Sequence, residues 1–175
     1  GAEIEPAIDF YRAAGIPLII NDRPDVVEAV GADGVHLGQD DGSIEEARRL
    51  LGSKRLIGKS THSLEQAVAA GIEGADYIGL GPIFPTPTKP ESPSVGTALI
   101  REVMQCVEIP IVCIGGINPT TLRPVLGAGA RCVAVVRAVC GAEDPEHAAR
   151  VLKQTLTSPA GRQAQCVRAP VRPRL

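Results

Sequence analysis

The chain has 175 residues, of which 44% are apolar and 2% aromatic, with no Trp and a net charge of −2. This length suits one domain, and so few aromatics require a core of Ala, Val, Ile and Leu, as in buried parallel sheets. The charge balance excludes an electrostatic grip on nucleic acid, and no apolar run reaches membrane-spanning length.

The N-terminus lacks the basic-then-apolar order of a signal peptide, so a cytoplasmic protein is expected. Five cysteines, Cys106, Cys113, Cys132, Cys140 and Cys166, form no CxxC pair. With three of them in apolar runs, they are expected to be buried free thiols in a reducing cytosol.

In chain order, residues 3–14 read as a helix, and apolar runs follow at 17–20, 34–37, 56–58, 77–80, 109–114 and 132–136. Each run is succeeded by turn residues and a helical pattern. Ser43 with Glu46, Ser63 with Gln66, Asn118 before Pro119 and Asp144 before Pro145 are helix-start signatures. Six consecutive βα units predict the α/β class and a TIM (β/α)8-type barrel over residues 1–156. Residues 157–175, which contain Arg162, Arg168, Arg172 and Arg174 among prolines, read as a disordered, solvated tail.

A closed barrel needs eight strands. Only six are legible, and the chain opens on a helix that would normally follow an earlier strand. Two N-terminal strands are therefore expected to be absent or supplied elsewhere. Unpaired outer edges on the first and last strands would favour self-association into a homo-oligomer.

The polar residues gather where strands end. Asn21 and Asp22 follow the first run, Gln39 to Asp41 the second, and Ser60 to His62 the third. Thr86 to Lys89 follow the fourth, Gly115 and Gly116 the fifth, and Arg137 the sixth. Barrel sites form at this rim. Asp22 and Asp41 suit either a shared hard divalent cation or turn and capping duties. Lys89 offers a point charge to phosphate, and Thr86 and Thr88 offer hydroxyl hydrogen bonds, in a loop stiffened by Pro85, Pro87 and Pro90. Gly115 and Gly116 lead toward Asn118 and Pro119, where a helix N-terminus would form a phosphate cup. His62 reads either as an acid/base group or as a helix-start packing residue, while His36 and His147 read as structural. A guanidinium at a strand end, Arg137, is one that a bound phosphate would satisfy.

Taken together, IINDRPD (19–25), GADGVHLGQDD (31–41), GKSTHS (58–63), ADYIGLGPIFPTPTK (75–89), IPIVCIGGIN (109–118) and VAVVRAV (133–139) resemble the thiamine-phosphate synthase family in order and spacing. The resemblance covers about residues 5–155. It implies a magnesium-dependent transferase on a (β/α)8 barrel that joins a pyrimidine diphosphate to a thiazole phosphate and releases pyrophosphate. It further implies that Asp22 and Asp41 bind Mg2+ and that Asn21, Ser60 and Lys89 hold the pyrimidine diphosphate, with Ser60 and Lys89 as the catalytic pair. Thr86, Pro87, Thr88, Gly116, Val136 and Arg137 would line the thiazole phosphate site.

Two departures stand out. The family's first two strands, with their Gln/Arg/Lys diphosphate motif, have no counterpart, and Arg137 stands where many members carry Ser. Two other readings remain beside the synthase. The related thiazole tautomerase uses a histidine at the position of His62, but its pattern lacks Asp41 and the PTPTK loop. The other is a truncated, catalytically silent fragment that binds phosphate or nothing.

Overall fold

The computed structural model describes residues 5–158 except Lys89; that lysine, residues 1–4 and residues 159–175, most of the expected tail, lie outside the described residues. The elements are α1 (Glu5–Ala13), β1 (Ile19–Asn21), α2 (Pro24–Val30), β2 (Gly34–Leu37), α3 (Ile44–Leu51), β3 (Leu56–Thr61) and α4 (Leu64–Ile72). They continue with β4 (Tyr77–Leu80), α5 (Ala98–Cys106), β5 (Ile111–Ile114), α6 (Leu122–Gly127), β6 (Cys132–Ala134), α7 (Arg137–Cys140) and α8 (Pro145–Thr157).

Short polar side chains start most of the expected helices. Ser43 Oγ accepts the Glu46 N–H at 3.1 Å while the Glu46 carboxylate accepts the Ser43 N–H at 3.1 Å, a complete capping box on α3. Such a cap contributes about 1 kcal/mol. Ser63 and Asp144 accept from the Gln66 and His147 N–H groups to open α4 and α8. Asn118 caps the turn that leads into α6. Its Oδ1 accepts from the N–H groups of Thr120 and Thr121 in a local turn, and Thr121 Oγ1 accepts from the Asn118 N–H. Helix α6 therefore begins only at Leu122, and the N–H groups expected to form a phosphate cup at Asn118 are already bonded within the turn.

All strand pairs are parallel, in the order β1-β2-β3-β4-β5-β6. Strand side chains alternate between faces. Val35 and Leu37 of β2, Ile57 of β3, and Ile78 and Leu80 of β4 are at most 1% exposed. They join Val27, Ile44, Ile100, Val103, Leu122 and Val125 from the helices and their flanks in one aliphatic core. The opposite, inner face carries His36, Gly58, Ser60, Tyr77 and Gly79, where the register pairs His36 with Gly58, Gly58 with Tyr77, and Ser60 with Gly79. The glycines make room for rings: a Cβ on Gly58 would stand 2.1 Å from Tyr77 Cζ, and one on Gly79 3.1 Å from His36 Cε1.

The result is a curled half-barrel of the TIM type, as expected, with six strands and with β1 and β6 at the two edges. Among the described residues each edge strand pairs on one side only. Strand ends differ from the sequence reading. β3 runs on to Thr61, so Ser60 is fixed inside the ladder, and β6 stops at Ala134, after which Arg137 opens the short helix α7.

At the other end of the sheet, Gly-Ala-Asp precedes both β2 and β4. Asp33 accepts the Leu18 N–H at 2.8 Å; Asp76 accepts the Ile57 N–H at 2.8 Å and a second bond from Arg48 Nη2 at 2.7 Å. Each carboxylate thus ties the start of one strand to the preceding one. The Asp76 and Arg48 side chains are only 24% and 28% exposed, so removing the carboxylate takes that partner from the Ile57 N–H and leaves a part-buried guanidinium without its counter-charge, held only by backbone carbonyls such as those of Gly52 and Arg55. Asp76→Ala is expected to destabilise the fold by about 2–3 kcal/mol in urea denaturation, more than an exposed ion pair is worth.

Candidate functional site

A cavity of about 480 Å³ opens at the carboxyl ends of β3 to β6. Its walls come from Ser60 and His62 after the middle of β3, from Gly79, Gly81 and Pro82 along β4, and from residues 85–88 of the following loop. Gly115, Gly116 and Asn118 beyond β5, and Val136 and Arg137 at the start of α7, complete it.

Hydrogen bonds lace the β4 loop onto the end of β5: the Ile83 N–H donates to the Ile114 carbonyl at 2.8 Å and the Phe84 N–H to the Gly115 carbonyl at 3.1 Å. That closeness requires glycine at both 115 and 116. Their φ values are +97° and +64°, and a Cβ would fall 2.4 Å from Pro82 Cα in the first case and 2.7 Å from Phe84 Cβ in the second. Thr86 Oγ1 accepts the Thr88 N–H at 3.3 Å, which holds the two hydroxyl residues in one local turn. Among the described residues no carboxylate pairs with Arg137, whose side chain is exposed at the mouth.

His62 lies on the wall with Nδ1 against the Gly81 carbonyl, and its own N–H donates to Gln66 Oε1 at 2.7 Å. Deeper on the inner face, His36 Nε2 meets Ser60 Oγ at 2.9 Å and His36 Nδ1 meets the Tyr77 hydroxyl at 3.1 Å. The two rings lie 5.5 Å apart. His36 is thus more than a packing residue in its strand: it orients a predicted site residue. Tyr77 was not singled out by the motif reading. Alternation along β2, β3 and β4 is the signal that puts both residues on the face of Ser60.

Seven of the expected residues, Ser60, Thr86, Pro87, Thr88, Gly116, Val136 and Arg137, line this one cavity. Asn21, Asp22 and Asp41 do not; they stand at the ends of β1 and β2, and all three are exposed. Asn21 shares the inner face with His36, its register partner. Asp22 has φ +64°, an uncommon conformation for a residue other than glycine, and its N–H donates to the His36 carbonyl at 2.8 Å. Asp41 Oδ2 accepts the Gly38 N–H at 2.9 Å. Lys89 lies outside the described residues.

The expectation for the cysteines needs correction. Cys113 is buried, but Cys106, Cys132 and Cys140 are exposed, and Cys166 lies outside the described residues. Cys132 shows why: it is on the edge strand β6, in register with Val112, where an apolar run does not imply cover on both faces.

Burial pushes the Cys113 thiol from 9.0 up to about 12, with nearby Cys132 adding to the shift, and pushes the Tyr77 phenol from 10.0 up to about 12. Raised folded-state values mean that both groups contribute stability that is complete below the unfolded values and is lost as pH rises through the folded ones. Unfolding free energy is therefore expected to fall between about pH 9 and 12 on account of these groups, more gently in Tyr77→Phe, as urea melts across that range would record.

Fold and rim together define a TIM-type (β/α) half-barrel with a cavity of about 480 Å³ at the carboxyl ends of its strands. The profile of the thiamine monophosphate synthase family matches residues 2–139. A thiamine-phosphate synthase from Chloroflexus aurantiacus is 53% identical over 146 residues, 83% of this chain and 67% of its own length. One from Thermus thermophilus is 49% identical over 153 residues, 87% of this chain and 73% of its own length. Among solved structures, the thiamine phosphate pyrophosphorylase from Pyrococcus furiosus superposes with a TM-score of 0.79 at 40% identity, over 85% of this chain and 71% of that one. The chain belongs to the thiamine monophosphate synthase family, and its relatives are transferases. No helix among the described residues is long and apolar enough to cross a membrane.

Proposed function

We propose that the cavity is the thiazole phosphate half of a thiamine-phosphate synthase centre, and that the adjoining ends of β1 and β2 are the diphosphate half. The observation that carries this is the meeting of Thr86, Thr88, Gly116 and Arg137, which come from the loops after β4 and β5 and from the start of α7, around one space of about 480 Å³. Hydroxyls, a glycine-lined backbone and a guanidinium with no carboxylate partner among the described residues are the groups that suit a phosphate monoester. Pro87 and Val136 supply apolar wall for the thiazole ring.

In this reading Asn21, Ser60 and Lys89 hold the pyrimidine diphosphate. With the Tyr77 hydroxyl donating to His36 Nδ1, His36 Nε2–H donates to Ser60 Oγ, and the Ser60 proton is left to point at substrate. Asp22 and Asp41 are oxygen donors at neighbouring strand ends, a set that fits Mg2+, which takes one or two carboxylates and completes its shell with water and substrate phosphate. When bound there, Mg2+ would neutralise charge on the departing diphosphate. The carbon–oxygen bond to diphosphate breaks with its electron pair going to the leaving group, the aminopyrimidine spreads the resulting positive charge, and the thiazole nitrogen closes the new bond. No side-chain nucleophile takes part, so the residues act by holding, orienting and stabilising charge. Cytoplasmic placement and self-association through the outer edges of β1 and β6 belong to the same reading.

Calorimetry with the thiazole phosphate alone tests it. The wild-type chain is expected to bind, and Arg137→Ala to weaken binding about tenfold, the loss of one charge-assisted contact. Equal affinity in the two proteins, or none in either, would reject the assignment of this cavity.

A further inference from the structure

Strand β3 places one charged residue in an otherwise aliphatic layer. Lys59 pairs in register with Leu37 on one side and Ile78 on the other, both at most 1% exposed, and is itself only 8% exposed. An ammonium in such surroundings is costly unless hydrogen-bonded, and an apolar side chain would fill the same layer without that cost. Its charge therefore calls for a reason beyond packing. The stem runs up past the end of β2, and Nζ donates to the Gly38 carbonyl at 2.7 Å and the Gly42 carbonyl at 3.1 Å.

Those carbonyls are the two ends of the turn that carries Asp41. Gly38 is engaged twice, since its N–H also donates to Asp41 Oδ2 at 2.9 Å. A Cβ at position 38 would stand 2.4 Å from that oxygen, so only glycine allows the approach. Lys59 and Asp41 therefore hold the two peptides that flank the Gly38 Cα, the ammonium through the Gly38 carbonyl and the carboxylate through the Gly38 N–H, so this end of the turn is pinned from both sides.

We propose that Lys59 is a positioning residue: it clamps both ends of the 38–42 turn and so fixes the Asp41 carboxylate for a magnesium-bound diphosphate. The ligand part rests on the reading of Asp41 given above; the clamp does not.

The test compares wild type, Lys59→Met, Lys59→Arg and Lys59→Gln by amide hydrogen exchange and by calorimetry with inorganic pyrophosphate, with and without Mg2+. Lys59→Met keeps the unbranched apolar stem and loses the charged donor. It is expected to speed exchange in residues 39–42 at least tenfold while the Ile78 amide, in the core, stays as protected as in wild type. Magnesium-dependent pyrophosphate affinity should fall about tenfold, and Lys59→Arg should recover most of both effects. Lys59→Gln keeps one donor and gives intermediate values, and it replaces the methionine variant if that does not fold. Unchanged exchange in residues 39–42 overturns the clamp. Faster exchange with unchanged magnesium-dependent affinity overturns its link to the diphosphate. Wild-type pyrophosphate binding that is indifferent to Mg2+ overturns the reading of Asp41 and the ligand part with it, while the exchange comparison still decides the clamp.

Discussion

Gly116→Ala is expected to lower affinity for the thiazole phosphate at least tenfold and to cost about 2–5 kcal/mol of stability. Two effects add. Alanine at φ +64° bears about 1–2 kcal/mol of backbone strain. Its Cβ would also stand 2.7 Å from Phe84 Cβ and 2.9 Å from the Pro85 carbonyl oxygen, both on the loop that carries Thr86 and Thr88. Overpacking of that kind costs about 1–3 kcal/mol and is relieved by pushing the loop outward, which separates the hydroxyls from Arg137 across the cavity. A control lies nearby: at Gly127, in α6, a Cβ meets nothing within 4 Å, so Gly127→Ala should leave binding intact and match or exceed wild-type stability. Calorimetry and urea melts on the two variants decide the matter. Wild-type affinity in Gly116→Ala would mean that the glycine pair serves the fold and not the ligand.

Much of this architecture was legible because parallel sheets write themselves plainly. The β2 and β4 runs matched their strands residue for residue, since Val35, Leu37, Ile78 and Leu80 all face the helices and Gly-Ala-Asp precedes each strand. Ser43, Ser63 and Asp144 announced their helices by side-chain chemistry that acts over three residues, within reach of a local reading. The misreadings share a cause, which is that partners distant in sequence decide them. β3 seemed to stop at Gly58 because Lys59, Ser60 and Thr61 are polar, yet the ladder to β4 continues through all three, and Thr61 Oγ1 bonds the Gly79 carbonyl at 3.0 Å. The contacts of His36 with Tyr77 and Ser60 span 41 and 24 residues, so no window along the chain contains them. The barrel rule brought Ser60, Thr86, Pro87, Thr88, Gly116 and Arg137 to one rim, and the family resemblance added Val136; all seven line one cavity, whereas Asn21, Asp22 and Asp41, which the same rule placed there, do not.

Removing the negative charges of Asp22 and Asp41 should disconnect pyrophosphate binding from magnesium while leaving the fold alone. Asparagine is the substitution that isolates the charge. At position 22 the backbone has φ +64°, a region that Asn tolerates about as well as Asp, so Asp22→Asn avoids the strain that alanine would add. At position 41 the side chain accepts the Gly38 N–H, and an amide oxygen can do the same, so the turn keeps its internal bond. Both positions are exposed, and substitutions there are expected to move stability by no more than about 0.5 kcal/mol. A hard cation, by contrast, gains most of its affinity from anionic oxygen, and a neutral amide replaces it poorly. If wild-type affinity for pyrophosphate rises tenfold or more with millimolar Mg2+, each single variant should show a rise of about threefold or less, and the double variant none. Calorimetry across a magnesium series measures this directly. A double variant that keeps the wild-type magnesium dependence would show that the cation is held elsewhere, and the two aspartates would then revert to turn and capping roles at the ends of β1 and β2.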